Sequence, residues 1–488
     1  MMKLRIALLL STFAVTSSCA GLPLPGSGPA SGDAISQQER QQGAQAHTQL
    51  LQQFGDVYSG RQSDYVVQVG RRISIQSGLS NAQNDFTISL LNSPVNNAFA
   101  LPGGYVYITR NLVGLMNSEA ELASVMGHEV GHVAARHSSQ RSSRNTIGQI
   151  LAVGLGLLTG SGDIANLAGQ AAQLYTLRYS RQQEYQADEL GITYLTSAGY
   201  DPFAAADMLT SLAAQTSLDA SASGRNARSL PEWASTHPDP AQRVTRARAE
   251  ATARGATPGA GTRDRDAFLN AIDGMLYDDD PSQGVVEGNT FRHPELRLQF
   301  TVPQGYTMQN GSSAVVVTGS NGQAQFGGGA ASGSLANYVD GVFRELAGSN
   351  QQINYGTVRN SRINGLPVGQ ATARVASGSN QVDVTVTAYD FGGNRKYHFL
   401  TITRAGQGTA PFNSMLNSVS RLSASEAAAI RPRVIDVVTV RRGDTISGLA
   451  SRMAYRDYQE ERFRVLNALG SGNALRAGQR VKLVVYGR

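Results

Sequence analysis

Three residues in the first third of the chain have the types and spacing of a metal-dependent hydrolytic site. His128, Glu129 and His132 form the pattern H-E-x-x-H within the stretch Glu119–Ser139. On a helix this spacing places the two histidines on one face, one turn apart. Two neutral imidazoles so placed can share one zinc ion, and the glutamate between them can act on a zinc-bound water molecule. The pattern also arises by chance in amphipathic helices, so the prediction depends on a third ligand.

A candidate third ligand follows about fifty residues later, in the segment SRQQEYQAD. Glu184 and Asp188 are four residues apart and therefore share one face of a helix. Glu184 can complete a three-ligand zinc site, and Asp188 can accept the free ring N–H of a zinc-bound histidine. Alone, such a pair is more typical of a solvated helix face that forms an ion pair with Arg181. Downstream of H-E-x-x-H, the metal-site interpretation is favoured.

A further histidine, His237, stands before a proline and upstream of Arg243. A lone histidine in this setting is usually a loop residue. Beside a metal site it becomes a candidate catalytic residue, as an oxyanion stabiliser, a proton donor or an extra zinc ligand, and Arg243 is a candidate substrate contact. The other histidines lack such neighbours in the sequence, and we expect them to be surface or structural residues; they are His47, His137, His293 and His398.

The elements that must position these residues are predicted from periodicity. Apolar residues recur at intervals of three and four in Glu119–Ser139, which predicts a buried helix. A single long helix is predicted over Leu167–Ser197, and a buried or membrane-facing helix over Ile147–Leu158. Asn97–Leu101 and Tyr105–Thr109 flank a Pro-Gly-Gly turn and predict a hairpin just before the metal helix. The hairpin is either purely structural or holds an extended substrate.

Composition bounds the class of protein. The chain has 488 residues, 41% of them hydrophobic, and a net charge of +6. This length predicts two to four domains, and the composition is that of neither a disordered nor a polytopic membrane protein. Residues 431–488 hold twelve Lys and Arg against five Asp and Glu, so the positive charge belongs to the C-terminal module. No nucleic-acid partner is expected.

The N-terminus has the pattern of an export signal. Lys3 and Arg5 precede the apolar run Ile6–Val15, which is too short for a stable membrane span. Cys19 is the single cysteine of the chain and follows this run. The segment resembles a bacterial lipoprotein signal, which implies lipidation of Cys19 and anchoring to the outer membrane. The alternative is a plain secretory signal cleaved near Ala20.

The predicted fold class is α+β, in five segments. Residues 1–19 are a lipoprotein signal peptide, and residues 20–35 a flexible tether. Residues 36–262 form a mainly helical peptidase domain with a small edge hairpin. Residues 263–429 form an α+β domain with one curved antiparallel sheet, because Leu296–Val302 and Val382–Ala388 alternate as strands and a helical pattern lies between them. Residues 430–488 form a small βααβ module.

Four ordered motifs carry a family resemblance. They are NAFALPGG at Asn97–Gly104, HEVGH at His128–His132, SRQQEYQAD at Ser180–Asp188 and THPDPAQR at Thr236–Arg243. In this order they resemble the HtpX and CAAX-prenyl-endopeptidase-like zinc metallopeptidases, gluzincins of metallopeptidase family 48, and in particular their periplasmic members. The resemblance spans roughly residues 36–254.

The resemblance implies one zinc ion per chain, bound by His128, His132 and Glu184. Glu129 is then the general base, and Asp188 orients a ligand. An extended substrate is expected to lie antiparallel to the hairpin strand, against the backbone of four consecutive residues. These are Asn97, Ala98, Phe99 and Ala100.

The C-terminal module resembles a LysM domain. Val438–Met453 and Leu475–Leu483 carry the matching motifs, with Asn467 between them. The pattern implies a strand, two helices and a returning strand. LysM modules bind glycans that contain N-acetylglucosamine, so the resemblance implies peptidoglycan as a partner. The alternative is a LysM-like fold that serves only as an interaction module.

These features together predict a zinc-dependent endopeptidase of the bacterial periplasm that degrades misfolded or misassembled envelope proteins. Its expected partners are unfolded envelope proteins as substrates, peptidoglycan through the LysM-like module and the outer membrane through a lipid anchor. Two other functions stay open. One is a hydrolase directed at peptidoglycan, and the other is a periplasmic assembly factor or chaperone with little proteolysis.

Overall fold

The computed structural model describes most of the chain between Ala34 and Gly487. The described residues are 34–54, 56–79, 85–138, 179–222, 237, 240–311, 314–347, 353–377, 380–470 and 472–487. The predicted signal peptide with Cys19, most of the tether and the apolar segment Ile147–Leu158 lie outside them.

The part that carries the candidate site is mainly helical, with one small sheet. Its elements are α1 (Gln37–Phe54), α2 (Arg61–Ser74), β1 (Thr87–Leu91), β2 (Ala98–Leu101), β3 (Tyr105–Thr109), α3 (Arg110–Leu115), α4 (Glu119–Ala134), α5 (Arg181–Ser197), α6 (Ala204–Ala222), α7 (Pro240–Ala253), α8 (Arg265–Ile272) and β4 (Leu276–Tyr277).

The middle of the chain is mostly antiparallel sheet. Its elements are β5 (Val285–Glu287), β6 (Thr290–His293), β7 (Leu298–Thr301), β8 (Thr307–Asn310), β9 (Val315–Gly319), β10 (Gly322–Ala330), α9 (Leu335–Ala347), β11 (Arg359–Ile363), β12 (Leu366–Ser377), β13 (Asn380–Asp390), β14 (Arg395–Arg404), α10 (Asn413–Ser418), β15 (Ser420–Arg421) and α11 (Ala424–Ala428).

The C-terminal module contains β16 (Arg433–Thr439), α12 (Ile446–Ala450), α13 (Gln459–Leu466) and β17 (Arg480–Tyr486), with β16 antiparallel to β17. This is the predicted strand–helix–helix–strand order. The α+β fold class is likewise confirmed. Among the helices described, none combines the length and hydropathy needed to cross a membrane.

The predicted hairpin is part of a three-stranded sheet of order β1-β3-β2. β3 pairs in parallel with β1 and antiparallel with β2, so β2 lies at the edge. The N–H of Thr109 donates to the carbonyl of Asn97 at 3.0 Å, which directs the backbone groups of the next residue, Ala98, away from β3. The outer edge of β2 therefore carries backbone donors and acceptors that no strand among the described residues pairs, in a buried part of the domain.

The middle region differs from the prediction in its sheets. A seven-stranded sheet, β11-β12-β13-β14-β10-β9-β8, carries α9 on one face, as predicted. The segment around Leu298–Thr301, however, belongs to a second sheet of four strands, β15-β7-β6-β5. The prediction of one curved sheet was wrong, because alternation identifies a strand and its buried face but not its neighbours.

A single long helix over Leu167–Ser197 was also wrong. Tyr179 and Ser180 are not helical, and α5 begins at Arg181. Ser180 has extended backbone angles, and its hydroxyl accepts the N–H of Gln183 while the Gln183 side chain accepts the N–H of Ser180. This reciprocal pair is a capping box, which starts a helix.

The LysM-like module packs directly onto the helical part. Ile435, Phe463 and Leu483 belong to the same hydrophobic cluster as Leu122 and Met126 of α4. In addition, β4 extends the C-terminal sheet by pairing with β16. The predicted boundaries at residues 262 and 429 stay predictions, but the packing crosses both of them.

A buried lysine joins these two parts. The Nζ of Lys482, on β17, donates to the carbonyls of Gly114, Leu115 and Met116 at 2.7, 3.2 and 2.5 Å. These carbonyls lie at the C-terminal end of α3, where they lack helical N–H partners and a cation is favourable. The Leu115 carbonyl also accepts the side-chain amide of Asn117 at 3.1 Å. Burial lowers the pKa of Lys482 well below its usual value, and the buried Glu121 carboxylate at the start of α4 opposes that effect.

We expect Lys482→Met to destabilise the chain, because it leaves the carbonyls of Gly114 and Met116 without this buried donor and removes one of the two donors to Leu115. The free energy of unfolding should fall by roughly 2–4 kcal/mol, as measured by urea denaturation. Arg476→Met, on the exposed surface of the same module, is the matched control and should leave unfolding unchanged. Equal stability of the two variants would contradict the role of Lys482.

Candidate metal centre

The metal-site motif lies on α4, which is buried along almost its whole length. Its N-terminus is capped by Ser118, whose hydroxyl accepts the N–H of Glu121. The Glu121 carboxylate accepts the N–H of Asn117 at 2.8 Å. With the helix fixed in this way, His128 and His132 lie one turn apart, and their Nε2 atoms are separated by 3.0 Å.

Close packing of α5 against α4 delivers the third group. Gly191 of α5 lies against the backbone of α4, and a Cβ there would be 2.9 Å from the His128 nitrogen and 3.0 Å from the carbonyl carbon of Gly127. Gly131 is similarly close to the Ala187 carbonyl. The two helices can approach this closely only because these positions lack side chains.

Four buried side chains converge as a result. His128, His132, Glu184 and His237 present donor atoms that all lie within 4.8 Å of one another. Glu184 oxygens lie 3.5 Å from His128 Nε2 and 3.6 Å from His132 Nε2. Donors at 2.0–2.1 Å from a tetrahedral zinc ion are roughly 3.3 Å apart, so these separations fit one shared ion. Nitrogen and oxygen donors of this kind also suit zinc chemically.

The protonation states of His132 and Glu184 are those that a cation-binding site requires. Burial and the neighbouring His128 lower the pKa of His132 well below its usual value, which keeps the imidazole neutral. Burial acts to raise the pKa of Glu184, but His237 and Arg243 outweigh it and leave that pKa lowered. Glu184 is therefore ionised despite being fully buried.

Asp188 and Arg243 form a second layer around His128. Asp188 Oδ1 lies 2.9 Å from His128 Nδ1, on the side of the ring opposite Glu184. Arg243 binds Asp188 through two contacts of 2.7 Å and lies 2.8 Å from Glu184 through Nη1. Burial raises the pKa of Asp188, but Arg243 reverses this and lowers it strongly.

Arg243 therefore has a different position from the one expected of a substrate contact. It is 1% exposed, and its guanidinium is engaged by the carboxylates of Glu184 and Asp188. This arrangement holds the two acidic side chains in place and compensates their charge.

Glu129 is buried beside the cluster without a hydrogen-bond donor of its own. Both carboxylate oxygens are without a hydrogen-bond partner among the described residues, and Oε1 lies 3.8 Å from His237 Nε2. Burial raises the pKa of Glu129, although His237 and His128 oppose the shift. A buried carboxylate without a partner is costly, and a water molecule activated by a metal ion in the neighbouring cluster would supply the missing hydrogen bond. These residues therefore fit the zinc ion that the family resemblance implies.

His237 belongs to the cluster and touches the edge strand as well. Its Nδ1 lies 3.4 Å from His128 Nε2 and 3.1 Å from both Glu184 oxygens. Its Nε2 lies 3.4 Å from the Ala98 carbonyl. Burial acts to lower the pKa of His237, but Glu184 and Glu129 leave it raised.

The predicted substrate strand lies next to this cluster. Asn97, Ala98, Phe99 and Ala100 are all buried, and the last three form most of β2. Ala98 contacts His237, so the Ala98 end of β2 is the end nearer the metal-binding cluster. The Phe99 side chain faces away and stacks on Tyr107 at 4.9 Å between ring centroids.

Two residues near His132 were missed by the sequence analysis. His137 is buried, with its Nδ1 2.9 Å from His132 Nδ1, so of the two expected alternatives it is a structural rather than a surface residue, and it lies closer to the cluster than expected. Tyr179 stacks on the His132 ring at 3.7 Å between centroids. The position of His137 five residues after His132 was a usable signal, whereas nothing local marked Tyr179.

The remaining histidines lie away from the cluster. His47 contacts the Tyr107 hydroxyl, His293 accepts the Leu296 N–H, and His398 contacts the Tyr338 hydroxyl.

Comparison with known families agrees with this geometry. Residues 61–251 match peptidase family M48, and residues 438–484 match the LysM domain. The chain contains an M48 peptidase domain and a LysM domain. The predicted resemblance to both families is thereby confirmed. All residues of the metal cluster lie inside the M48 match, and the β16–β17 module holds the LysM match.

The curated relatives include bacterial proteases and mitochondrial metalloendopeptidases. The beta-barrel assembly-enhancing protease of Escherichia coli (strain K12) is 31% identical over 235 residues, which are 46% of each chain. The same-named protein of Yersinia pestis is 29% identical over 52% of each chain. The mitochondrial metalloendopeptidase OMA1 of Arabidopsis thaliana is 38% identical over 24% of this chain and 23% of its own. The chain thus spans about half or less of the length of these relatives.

We expect Gly191→Ala to weaken metal binding, because the added methyl group pushes α5, and with it Glu184, away from α4. Zinc affinity should fall by roughly 10- to 100-fold, as when groups around a metal ligand are disturbed. Competition with a chromophoric chelator measures this.

Gly341→Ala on α9 is the control, since a Cβ there meets open space. It should leave zinc affinity unchanged. Unaltered zinc affinity in the properly folded Gly191→Ala variant would contradict the proposed reason for the close helix packing.

Proposed function

We propose that this chain is a zinc-dependent endopeptidase of the bacterial periplasm that degrades misfolded or misassembled envelope proteins. The observation that carries the proposal is the buried set of His128, His132 and Glu184 beside the unpartnered carboxylate of Glu129. The M48 match and the metallopeptidase relatives support it.

His128, His132 and Glu184 would hold the ion. When bound, zinc supplies Lewis-acid chemistry that polarises a peptide carbonyl and activates water. Asp188 accepts the N–H at His128 Nδ1, which fixes the tautomer and directs the Nε2 lone pair into the cluster. Arg243 in turn holds Asp188 and Glu184 in place and offsets the repulsion between their carboxylates.

Glu129 is proposed as the general base and acid. Its raised pKa, caused by burial, makes it a better proton acceptor than an exposed glutamate. It removes a proton from the attacking water and then delivers that proton to the departing amine. Its buried oxygens have no competing donor among the described residues.

His237 has two supported roles. With Nε2 near both Glu129 and the Ala98 carbonyl, it can donate a hydrogen bond to the oxyanion that develops at the substrate carbonyl. With Nδ1 among the donor atoms, it can also act as an additional ligand. We assign it the oxyanion role during hydrolysis.

The substrate is proposed to add as an antiparallel strand to the outer edge of β2. In the described part of the chain, β2 pairs with β3 alone. Binding through backbone groups tolerates many side chains and requires an extended chain. Both properties suit an enzyme that acts on unfolded rather than native proteins.

The cellular setting rests on several separate features. Relatives named beta-barrel assembly-enhancing protease support a role in outer-membrane protein quality control. The LysM match supports binding to peptidoglycan, and its surplus of basic residues suits an anionic cell wall. Lipidation of Cys19 would anchor the chain to the outer membrane.

Glu129→Gln tests the chemistry directly. We expect it to retain zinc, because Glu129 is not in the ligand set, but to lower the hydrolysis of casein, an unstructured protein, at least 100-fold through loss of the proton carrier. Glu189→Gln on the exposed face of α5 is the matched control and should keep full activity. Wild-type protein that fails to bind zinc in stoichiometric amount would refute the ligand assignment.

Wild-type protein and the Glu129→Gln variant together distinguish the other candidate functions. We expect wild-type protein to cleave casein but not the peptide bonds of purified peptidoglycan sacculi, because the β2 edge requires an extended polypeptide. Release of wall peptides without casein cleavage would favour a peptidoglycan hydrolase. Full restoration of outer-membrane integrity by Glu129→Gln in a deletion strain would instead favour an assembly factor or chaperone.

A further inference from the structure

A large cleft lies between the LysM module, the middle region and α6. Its volume is about 1520 Å³. One wall includes Tyr455 and Arg456 of the LysM module, and the opposite wall includes Thr307 and Asn310 of β8. Cavities that bind small molecules usually hold about 300–1000 Å³, so this one is sized for part of a polymer.

The cleft begins where the edge strand begins. Pro94, Val95 and Asn96 line it, and they immediately precede Asn97 and β2. The metal cluster meets β2 at Ala98 through His237. The cleft therefore continues from the end of β2 at which cleavage is proposed to occur.

Direction follows from strand pairing. A substrate antiparallel to β2 runs, in its own N-to-C direction, from Leu101 towards Ala98. Beyond Ala98 it reaches Asn96 and the cleft. The residues that follow the cleaved bond are thus the ones that the cleft can receive.

The cleft is also lined by side chains that offer both donors and acceptors. Asn289, Gln304 and Gln309 are among its lining residues, and each side-chain amide carries an N–H₂ donor and an oxygen acceptor. Such groups can pair with a peptide backbone, which offers N–H donors and C=O acceptors alternately.

Charge favours a polypeptide over an anionic polymer. Arginines line the cleft at Arg292 and Arg456, but acidic side chains face it too, at Asp219 and Glu287. Tyr306 and Met308 add apolar surface. A mixed lining of this kind accepts varied side chains and does not select for phosphate or uronate charge.

We infer that this cleft is an extended substrate-binding site for the segment of unfolded polypeptide on the C-terminal side of the cleaved bond. The inference rests on the proposed peptidase function. It gives the LysM and middle regions a direct part in substrate binding, in addition to any contact with the cell wall.

Nested peptides test the inference. They share one bond that wild-type protein cleaves in casein and are extended by four, eight or twelve residues on either side. With the zinc-loaded full-length chain, kcat/KM should rise roughly tenfold with C-terminal extension, mainly through KM, as expected for one or two added hydrogen bonds. N-terminal extension past β2 should give no comparable gain.

Arg292→Ala should remove most of the gain from C-terminal extension. Arg359→Ala, an exposed arginine on β11 outside the cleft, is the matched control and should preserve the gain. In the Glu129→Gln chain, the photoreactive residue of Thr307→p-benzoylphenylalanine should crosslink to peptide positions after the cleavable bond. Crosslinks to positions before it, or kcat/KM independent of C-terminal length, would overturn the inference.

Failure of the inference and failure of the proposed function give different results. Cleavage that is indifferent to C-terminal length leaves the peptidase intact and removes the cleft site. Length-dependent binding of labelled peptides to Glu129→Gln, with no cleavage by wild type, keeps the cleft site and removes the peptidase. Muropeptide fragments that displace the peptides from Glu129→Gln, but not from its Arg292→Ala derivative, would show a glycan site and overturn the polypeptide assignment.

Discussion

The site depends on how closely two helices approach each other. Gly191 of α5 lies against the backbone of His128, and Gly131 of α4 lies against Ala187. Without side chains at these contacts, Glu184 reaches the two histidines, and Asp188 reaches the far side of His128. A carboxylate so deeply buried is stable only with compensating charge, which Arg243 provides from α7. The position of the metal-binding side chains is therefore set by the packing of the helices, and their chemistry can act only once that packing has formed.

This dependence explains which parts of the site the sequence could reveal. His128, Glu129 and His132 are close in sequence, and their helical spacing alone predicts a shared face. Glu184 could be selected only together with the upstream H-E-x-x-H pattern, because a four-residue spacing of acidic residues is common on exposed helices. The structure brings His128, His132, Glu184 and His237 within reach of one ion, and Glu129 lies beside His237.

Residues whose role depends on tertiary packing were harder to predict. The guanidinium of Arg243 turned out to face two carboxylates, and Tyr179 stacks on His132 from a segment that periodicity assigned to a helix. In the middle region, alternation located strands and one helix correctly, but it could not divide the strands between two sheets. The same limit applied to the LysM module. The order of its strands and helices was predicted, but its packing into one hydrophobic core with α4 was not. Local patterns determine elements, and long-range contacts determine their partners.

The buried contact of Lys482 has a consequence for the order in which the chain can fold. It joins residues 366–368 positions apart, among the longest sequence separations in the protein. Contacts of such high order form late, because a long loop must close before they add stability. A chain emerging from a ribosome or a translocon thus carries all of its metal-binding side chains well before it carries the lysine that caps the helix ahead of them. The helix that carries His128 and His132 reaches its final packing only when the β17 strand has arrived, which couples maturation of the centre to synthesis of the LysM module.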